Sequence, residues 1–296
     1  MSINDCANAT SPINISMNSI MGPCVLKCDY NYDYGTYSPN VTNSSNCLSL
    51  NYTGKTNPVK YNDEQYNAKE IRIYQPSLHK YNNINADGEI LIIHSGPGKN
   101  LIVSVPFKTG GKTDKGSVQL NTLLEEAALR TPNSYESVTI SSGNFSLNNF
   151  IPDKKGYFSY TGTLPYDSCN GSYSYVVYNI EDSLNVNTTN LDKLKKIIKK
   201  TNPTIKENNL FYNKNGANSK GNDSNSNIYI DCQPVNEEGE LLIQEGPGGV
   251  NTNTSTMGPN VTMEQIQPFL YVLIGIVVAS GIVYGGRYVF KKLKSE

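Results

Sequence analysis

Seven short apolar runs, each followed by turn-forming residues, constrain the fold of this chain more than any other feature of its sequence. They cover residues 25–32, 47–52, 70–74, 89–94, 101–107, 157–160 and 173–180. Only two segments place apolar residues at helical spacing, residues 117–130 (Leu120, Leu123, Leu124, Ala127) and 189–201 (Leu191, Leu194, Ile197, Ile198). Because the helices are few and late, a mainly β domain is predicted rather than alternating β-α-β units.

Composition narrows the possible functions. The 25 Lys and Arg residues nearly cancel the 26 Asp and Glu residues, so no overall field favours nucleic acid as a partner. The only histidines are His79 and His94, which excludes a site of three imidazole ligands. Six cysteines lack C-x-x-C spacing, which argues against a zinc ribbon and leaves disulfides and buried thiols open: Cys6, Cys24, Cys28, Cys47, Cys169 and Cys232.

The last thirty residues predict a membrane anchor. Residues 269–286 carry no charge, and Arg287, Lys291, Lys292 and Lys294 follow them. We expect a folded domain over residues 1–236, a flexible Gly/Asn/Thr-rich stalk over 237–267, a transmembrane helix over 268–290 and a short basic tail over 291–296. Residues 206–227 are predicted to form a mobile surface loop. The basic tail and the lack of a signal peptide favour opposite orientations of the domain, which stay open.

Several motifs resemble, in order, landmarks of the α-carbonic anhydrases. They are SPINI from Ser11, EIRIYQ from Glu70, GEILIIHS from Gly88, the block over residues 144–178, and CQPV from Cys232. The resemblance covers residues 11–236 and implies a large, twisted, mostly antiparallel central sheet with a few short helices.

The zinc ligands of that family are replaced here. Arg72 and Tyr74 occupy the first two histidine positions, and Leu91 occupies the third. Pro165 stands where the family has a threonine that orients the zinc-bound hydroxide, whereas the acid next to the third ligand is kept as Glu89, without its histidine partner. The resemblance therefore implies no metal, no cofactor and no carbonic anhydrase activity. Arg72, Tyr74 and Glu89 are expected either to form a buried polar cluster or to leave Arg72 reaching solvent.

The two histidines are predicted to have structural roles, with neither a catalytic candidate. From the resemblance we expect a disulfide between Cys6 and Cys169, with Cys28 and Cys47 the next pair to consider. Five lysines on the second predicted helix form either a solvated face, the favoured interpretation, or a binding stripe for an anionic ligand: Lys193, Lys195, Lys196, Lys199 and Lys200.

The layout is similar to that of a membrane-anchored, carbonic-anhydrase-like envelope protein of poxviruses that binds host cells. The Asn, Lys, Ile and Tyr bias also suits the genome of a large DNA virus. The sequence thus predicts a non-catalytic, single-pass virion membrane protein whose exposed amino-terminal domain attaches to sulfated glycosaminoglycan or another host receptor. Two alternatives are a structural protein that ties an internal membrane to capsid proteins and, third, a remodelled enzyme.

Overall fold

A large β-sheet organises the part of the chain that the structure, a computed structural model, describes: residues 8–24, 27–140, 144–166 and 169–218. The strands there are β1 (Asn14–Ile15), β2 (Ile20–Pro23), β3 (Tyr30–Tyr32), β4 (Asn40–Asn43), β5 (Leu48–Asn51), β6 (Val59–Tyr61), β7 (Glu64–Tyr74), β8 (Lys80–Tyr81), β9 (Ile84–Asn85), β10 (Gly88–Ser95), β11 (Asn100–Thr109), β12 (Ser137–Thr139), β13 (Tyr157–Gly162), β14 (Tyr173–Tyr178), β15 (Leu184–Val186) and β16 (Leu210–Asn213). The α-helices in these ranges are α1 (Lys115–Arg130) and α2 (Thr188–Ile197).

The main sheet is mixed, with antiparallel pairs in the majority. Its strands follow the order β12, β4, β5, β7, β10, β11, β14, β13, β16 and β2, while β15 adds to β11 and β6 joins β3 to β7. Strands β14 and β15 run parallel to β11, and β2 runs parallel to β16. Strands β1, β8 and β9 form a separate small sheet. The prediction of a mainly β fold with a large central sheet is confirmed.

Strand β10 is buried on both faces of the sheet and divides the core in two. Ile90 and Ile92 pack in a cluster with the apolar sides of α1 and α2. Leu91 and Ile93 face the other way, into a cluster with Tyr74 and Tyr175. Since side chains alternate along a strand, the pairing of β10 with β7 decides which residues share each face.

Helix α2 ends four residues earlier than the predicted end at residue 201. Asn187 caps its first turn by accepting a hydrogen bond from the Asn190 N–H (2.7 Å). At the other end, Asn43 Nδ2 donates to the Ile197 carbonyl (3.0 Å), and Gln75 Nε2 donates to the Ile198 carbonyl (3.1 Å). Ile198 is already extended, so side chains from outside the helix take over its last carbonyls. Lys199 and Lys200 therefore do not continue a helical stripe.

The prediction of a mobile loop over residues 206–227 is wrong for part of that range. Leu210–Asn213 forms strand β16, which lies between β13 and β2 in the main sheet. Leu210 is buried in the cluster that contains Leu91. The polar residues around Leu210–Asn213 gave no strand pattern in the sequence. The strand is stabilised by pairing with β13 and β2 rather than by its own composition.

Among the described residues, the strand predicted over residues 25–32 begins only at Tyr30. Cys24 and Cys28, which precede it, form a disulfide. This bond excludes the pairing of Cys28 with Cys47, which is a buried free cysteine.

Buried hydroxyls on the helix-covered face converge on His94. The Tyr30 and Tyr34 hydroxyl oxygens lie 3.0 Å apart, and Tyr34 Oη lies 2.8 Å from His94 Nε2. His94 Nδ1 lies 3.2 Å from the Leu101 carbonyl, which can only accept, so Nδ1 carries the proton and Nε2 accepts from Tyr34. Burial lowers the pKa of His94 to about 4, so the imidazole is neutral in the folded protein.

The neutral state of His94 predicts a loss of stability in mild acid. The unfolded state takes up a proton near pH 6.5 and the folded state only near pH 4, so this group removes about 3 kcal/mol of unfolding free energy between these values. His94→Gln keeps a donor and an acceptor but does not titrate, so its deficit relative to wild type should shrink as pH falls. Urea unfolding at about pH 7, 5.5 and 4.5 measures this, and parallel curves for the two proteins would contradict it.

Candidate functional site

Strands β7 and β10 bring the predicted zinc-site residues together on the face away from the helices. Arg72 lies opposite Leu91 in the register of the two strands, and Tyr74 lies opposite Glu89. Pro165 lies in the connection between β13 and β14. The structure thus places the replaced positions side by side, as the resemblance implies.

The guanidinium of Arg72 packs against aromatic rings. Its Cζ atom lies 3.8 Å from the centre of the Tyr166 ring, and Nη1 lies 3.5 Å from the Tyr74 hydroxyl. Nε lies 2.9 Å from Glu70 Oε1, and one quarter of the side chain is exposed. Arg72 therefore joins a cluster with Tyr74, Tyr166 and Glu70, and Glu89 is not a member. Tyr166 was not predicted from the sequence, where its only signal is its position after Pro165.

Cys47 and Tyr74 complete this cluster with neutral groups. Burial raises the pKa of the Cys47 thiol to about 11 and raises the pKa of Tyr74 well above its usual range. A thiol with that pKa is protonated at neutral pH and is a poor nucleophile. Arg72 supplies the formal positive charge of the cluster, and it is paired with Glu70.

Glu89 belongs to a second, fully buried network. Its Oε2 accepts from the backbone N–H groups of Leu78 (2.7 Å) and His79 (3.0 Å), while Oε1 lies 2.5 Å from His79 Nδ1 and accepts from the Ser104 hydroxyl. His79 Nε2 lies 2.7 Å from the Tyr160 hydroxyl. Burial alone would raise the pKa of Glu89, but attraction to His79 and these hydrogen bonds hold it below its usual value. The expectation that Glu89 has no histidine partner is wrong, because His79 reaches it from the segment between β7 and β8.

The residues at the former metal site do not fit zinc. An arginine side chain has no free lone pair, and a leucine side chain has no donor atom. Tyr74 is then the one possible oxygen ligand among the three replaced positions, whereas catalytic zinc needs three protein ligands. Within the described ranges, no group of three His, Cys, Asp or Glu side chains could hold a metal ion.

The five lysines of the predicted second helix differ in their surroundings. Lys193 Nζ is paired with Glu125 Oε1 at 3.1 Å, and Lys195 Nζ lies 3.8 Å from Asp192. Lys195, Lys196, Lys199 and Lys200 line a cleft of about 770 Å³, which we call the α2 cleft. Residues from four other parts of the chain complete it: Ser45; Gln75 and Pro76; Asn85, Ala86 and Asp87; and Pro132, Asn133 and Ser134.

Several predictions concern residues that the structure does not describe. Cys169 is disulfide-bonded, but Cys6, its expected partner, lies outside the described residues. The boundary at residue 236, the stalk, the transmembrane helix over 268–290 and the basic tail lie outside them as well. In the described part of the chain, no helix is long and apolar enough to cross a membrane.

Comparison with solved structures identifies the fold. Dioscorin complexed with ascorbate is 20% identical with a TM-score of 0.56, and the alignment covers 70% of this chain and 87% of dioscorin. The α-carbonic anhydrase of Thermovibrio ammonificans, solved with sulfanilamide, is 18% identical with a TM-score of 0.57, covering 70% and 88%. That of Photobacterium profundum is 15% identical with a TM-score of 0.58, covering 70% and 90%.

Neither a protein-family model nor a curated protein matches the sequence. The structural similarity nevertheless shows that the chain has the fold of the α-carbonic anhydrases. The resemblance seen in the motifs is confirmed at the level of fold.

Glu89 and Glu70, the carboxylates of the two networks described above, should contribute very differently to the free energy of unfolding. Glu89→Gln places an amide opposite buried N–H groups and removes the charge facing His79, which should cost about 3–5 kcal/mol of unfolding free energy. Glu70→Gln is the matched control, and because Glu70 is 30% exposed we expect a loss of about 1 kcal/mol or less. Urea unfolding at neutral pH measures both, and equal losses would show that burial of the Glu89 network is not what stabilises it.

Proposed function

We propose that this chain is a non-catalytic binding protein of carbonic-anhydrase fold, which attaches a virion membrane to sulfated carbohydrate on the host-cell surface. The observation that best supports a lack of catalysis is the cluster at the expected metal position, where Arg72 packs on Tyr166 beside Tyr74 and Leu91. A guanidinium in this place repels a zinc ion and fills the space beside Tyr166.

Among the described residues, the groups that neighbour Arg72 and Tyr74 offer no replacement chemistry. The Cys47 thiol is protonated, and Pro165 has neither a hydroxyl nor an N–H group to orient a nucleophile. Glu89 is committed to His79, Ser104 and two backbone N–H groups, so it is not free to act as a general base. The fold therefore serves as a scaffold for binding.

The attachment role is supported by a cationic surface and by the expected layout of the chain. The α2 cleft gathers four lysines on a protein whose total charge is only −1, so an anion is attracted locally and not by the whole molecule. The expected stalk over residues 237–267 and anchor over 268–290 would hold the domain away from the lipid surface. The resemblance to the poxvirus envelope protein points the same way, and the balanced charge argues against nucleic acid as a partner.

A second candidate function is a structural link between the membrane and capsid proteins. Strand β2 lies at one end of the main sheet, and Met21 on it is 68% exposed. Met17 precedes this strand with 52% exposure, and Phe211 on the adjacent β16 is 38% exposed. Exposed apolar side chains at a sheet edge are suited to a protein partner. Chemical cross-linking of intact particles separates the two roles, since a tether would link to capsid protein through this edge.

Absence of zinc is the first test. The purified full chain should contain less than about 0.1 equivalent of zinc and should not hydrate CO2 above background, because two of the three ligand positions lack a donor atom. The triple variant Arg72→His, Tyr74→His and Leu91→His should bind zinc before it gains activity, since Pro165 still lacks the orienting hydroxyl. Elemental analysis measures the metal, and one tightly held equivalent in the wild type would overturn the proposal.

Binding to sulfated polysaccharide is the second test. The full chain in detergent micelles should be retained on immobilised heparin at about 50 mM NaCl and released at about 500 mM, because exposed charges are screened within about 10 Å at 0.1 M salt. Hyaluronan, an unsulfated acidic polysaccharide, is the control and should retain it weakly. Failure to bind heparin at low salt would refute the attachment role and favour the capsid link.

A further inference from the structure

We propose that the α2 cleft is the site that binds a sulfated sugar, with Asn43 and Gln75 as the residues that hold its walls in position. This inference rests on the proposed attachment function and specifies where on the molecule the anion binds. It replaces the predicted helical stripe of five lysines with a preformed cleft beyond the end of the helix.

The charge of the cleft is mostly uncompensated. Four lysines and one carboxylate, Asp87, are among its lining residues. Asp87 Oδ2 accepts from the Thr109 N–H (2.6 Å) and the Thr109 hydroxyl (2.9 Å), so it is already used within the fold. Lys196, Lys199 and Lys200 form no ion pair with any carboxylate in the described part of the chain. Three ammonium groups are therefore available to an external anion.

The end of α2 is what gathers these lysines. Ile198 takes an extended conformation (φ −121°, ψ 147°), so Lys199 and Lys200 leave the helical path and line the cleft together with Lys195 and Lys196. Lys193 lies one turn earlier, does not line the cleft and is paired with Glu125. The division of the lysines thus follows from the helix terminus and not from their spacing.

Asn43 ties the walls of the cleft together. Its side chain is fully buried and donates from Nδ2 to the carbonyls of Thr131 (3.1 Å) and Ile197 (3.0 Å), where α1 and α2 end. Its Oδ1 accepts from the Ser45 N–H (2.9 Å), and its backbone carbonyl accepts from the Tyr135 N–H (2.6 Å). Through its side chain and its backbone carbonyl, this one residue therefore holds both helix ends and two loops that border the cleft.

Two further bonds hold the lysine-bearing segment. The Lys199 N–H donates to the Ser45 carbonyl (2.7 Å), and Gln75 Nε2 donates to the Ile198 carbonyl (3.1 Å). Because the backbone of residues 197–199 is held by the fold itself, binding needs to order only the lysine side chains.

A strained tyrosine next to the cleft is an independent sign of a binding surface. Tyr135 has φ 71°, a left-handed conformation that is unusual for a bulky residue, and its side chain is 78% exposed. It directly follows Asn133 and Ser134, which line the cleft. Its backbone N–H donates to the Asn43 carbonyl, which holds the loop in this conformation, so an exposed phenol directly follows the cleft-lining residues in the chain. An exposed aromatic ring with a polar tip suits the face of a sugar ring.

The size and donors of the cleft indicate the class of ligand. A volume of about 770 Å³ accommodates one or two sugar rings and not a long stretch of polymer. Each lysine ammonium offers three hydrogen-bond donors and no acceptor, so a group with several acceptor oxygens and a permanent negative charge fits it best. A sulfate ester on a sugar has these properties, and a phosphate group shares them.

The test uses the full chain in detergent micelles and a heparin-derived, fully sulfated tetrasaccharide. Replacing Lys196, Lys199 and Lys200 with Ser should weaken binding by about tenfold or more, since contacts of a cation with an oxyanion are the stronger hydrogen bonds. The matched control replaces Lys60, Lys69 and Lys99 with Ser, which removes the same charge away from the cleft and should change affinity by less than about threefold. Circular dichroism melting shows that both variants are folded.

Acetylation footprinting adds a reading at the level of residues. The tetrasaccharide should protect Lys196, Lys199 and Lys200 from acetylation and leave Lys60 and Lys193 reactive. Inorganic phosphate at the same concentration is the control. If phosphate protects the same lysines, the cleft recognises the oxyanion without the sugar, and the sugar assignment is overturned. If the variant with the three cleft substitutions binds the tetrasaccharide as tightly as the wild type, the cleft is not the binding site, but the attachment function still stands. Absence of wild-type binding overturns the attachment function itself.

Discussion

Burial of strand β10 on both faces is the constraint on which the rest of the described structure depends. A strand enclosed in this way has no solvent side, so a slip of one residue would exchange two packed cores. The register with β7 is thereby fixed, and it sets Arg72 against Leu91 and Tyr74 against Glu89. The two cores on either side of β10 thus support the fold that this chain shares with the α-carbonic anhydrases.

Arg72 and Glu89, which the sequence predicted to share one cluster, belong to two hydrogen-bonded networks that differ in burial. Glu89 keeps a complete set of hydrogen-bond partners in the interior, including His79, because a buried carboxylate without partners would be very costly. Arg72 lies nearer the surface, where Tyr166 and Glu70 cover it and water reaches part of it. The Arg72 cation, at a position where the resemblance expects a zinc ligand, is thus accommodated by an aromatic ring, a carboxylate and partial exposure.

The α2 cleft, which we propose as the binding site, is built from the ends of secondary-structure elements. Its lysines come from a helix terminus and the residues after it, and that terminus is held by Asn43 on β4 and by Gln75, which directly follows β7. Asn43 links its own turn to two segments that are distant in sequence, residues 131–135 and the end of α2, so the cleft depends on contacts across the domain. The α2 cleft shares no lining residue with the expected zinc-site positions, Arg72, Tyr74 and Leu91.

The sequence by itself determined the mainly β class, the central strands and the existence of both helices, because apolar periodicity is a local property. Arg72 and Leu91 are unfit as zinc ligands in any fold, since neither side chain has a lone pair to donate. Only the tertiary structure decided that His79 is the partner of Glu89, that Cys24 pairs with Cys28, and that Leu210–Asn213 forms a strand. It also decided the early end of α2 and the role of Asn43. Each of these depends on a contact between segments far apart in the chain, or on backbone geometry at a turn, which spacing and composition do not encode.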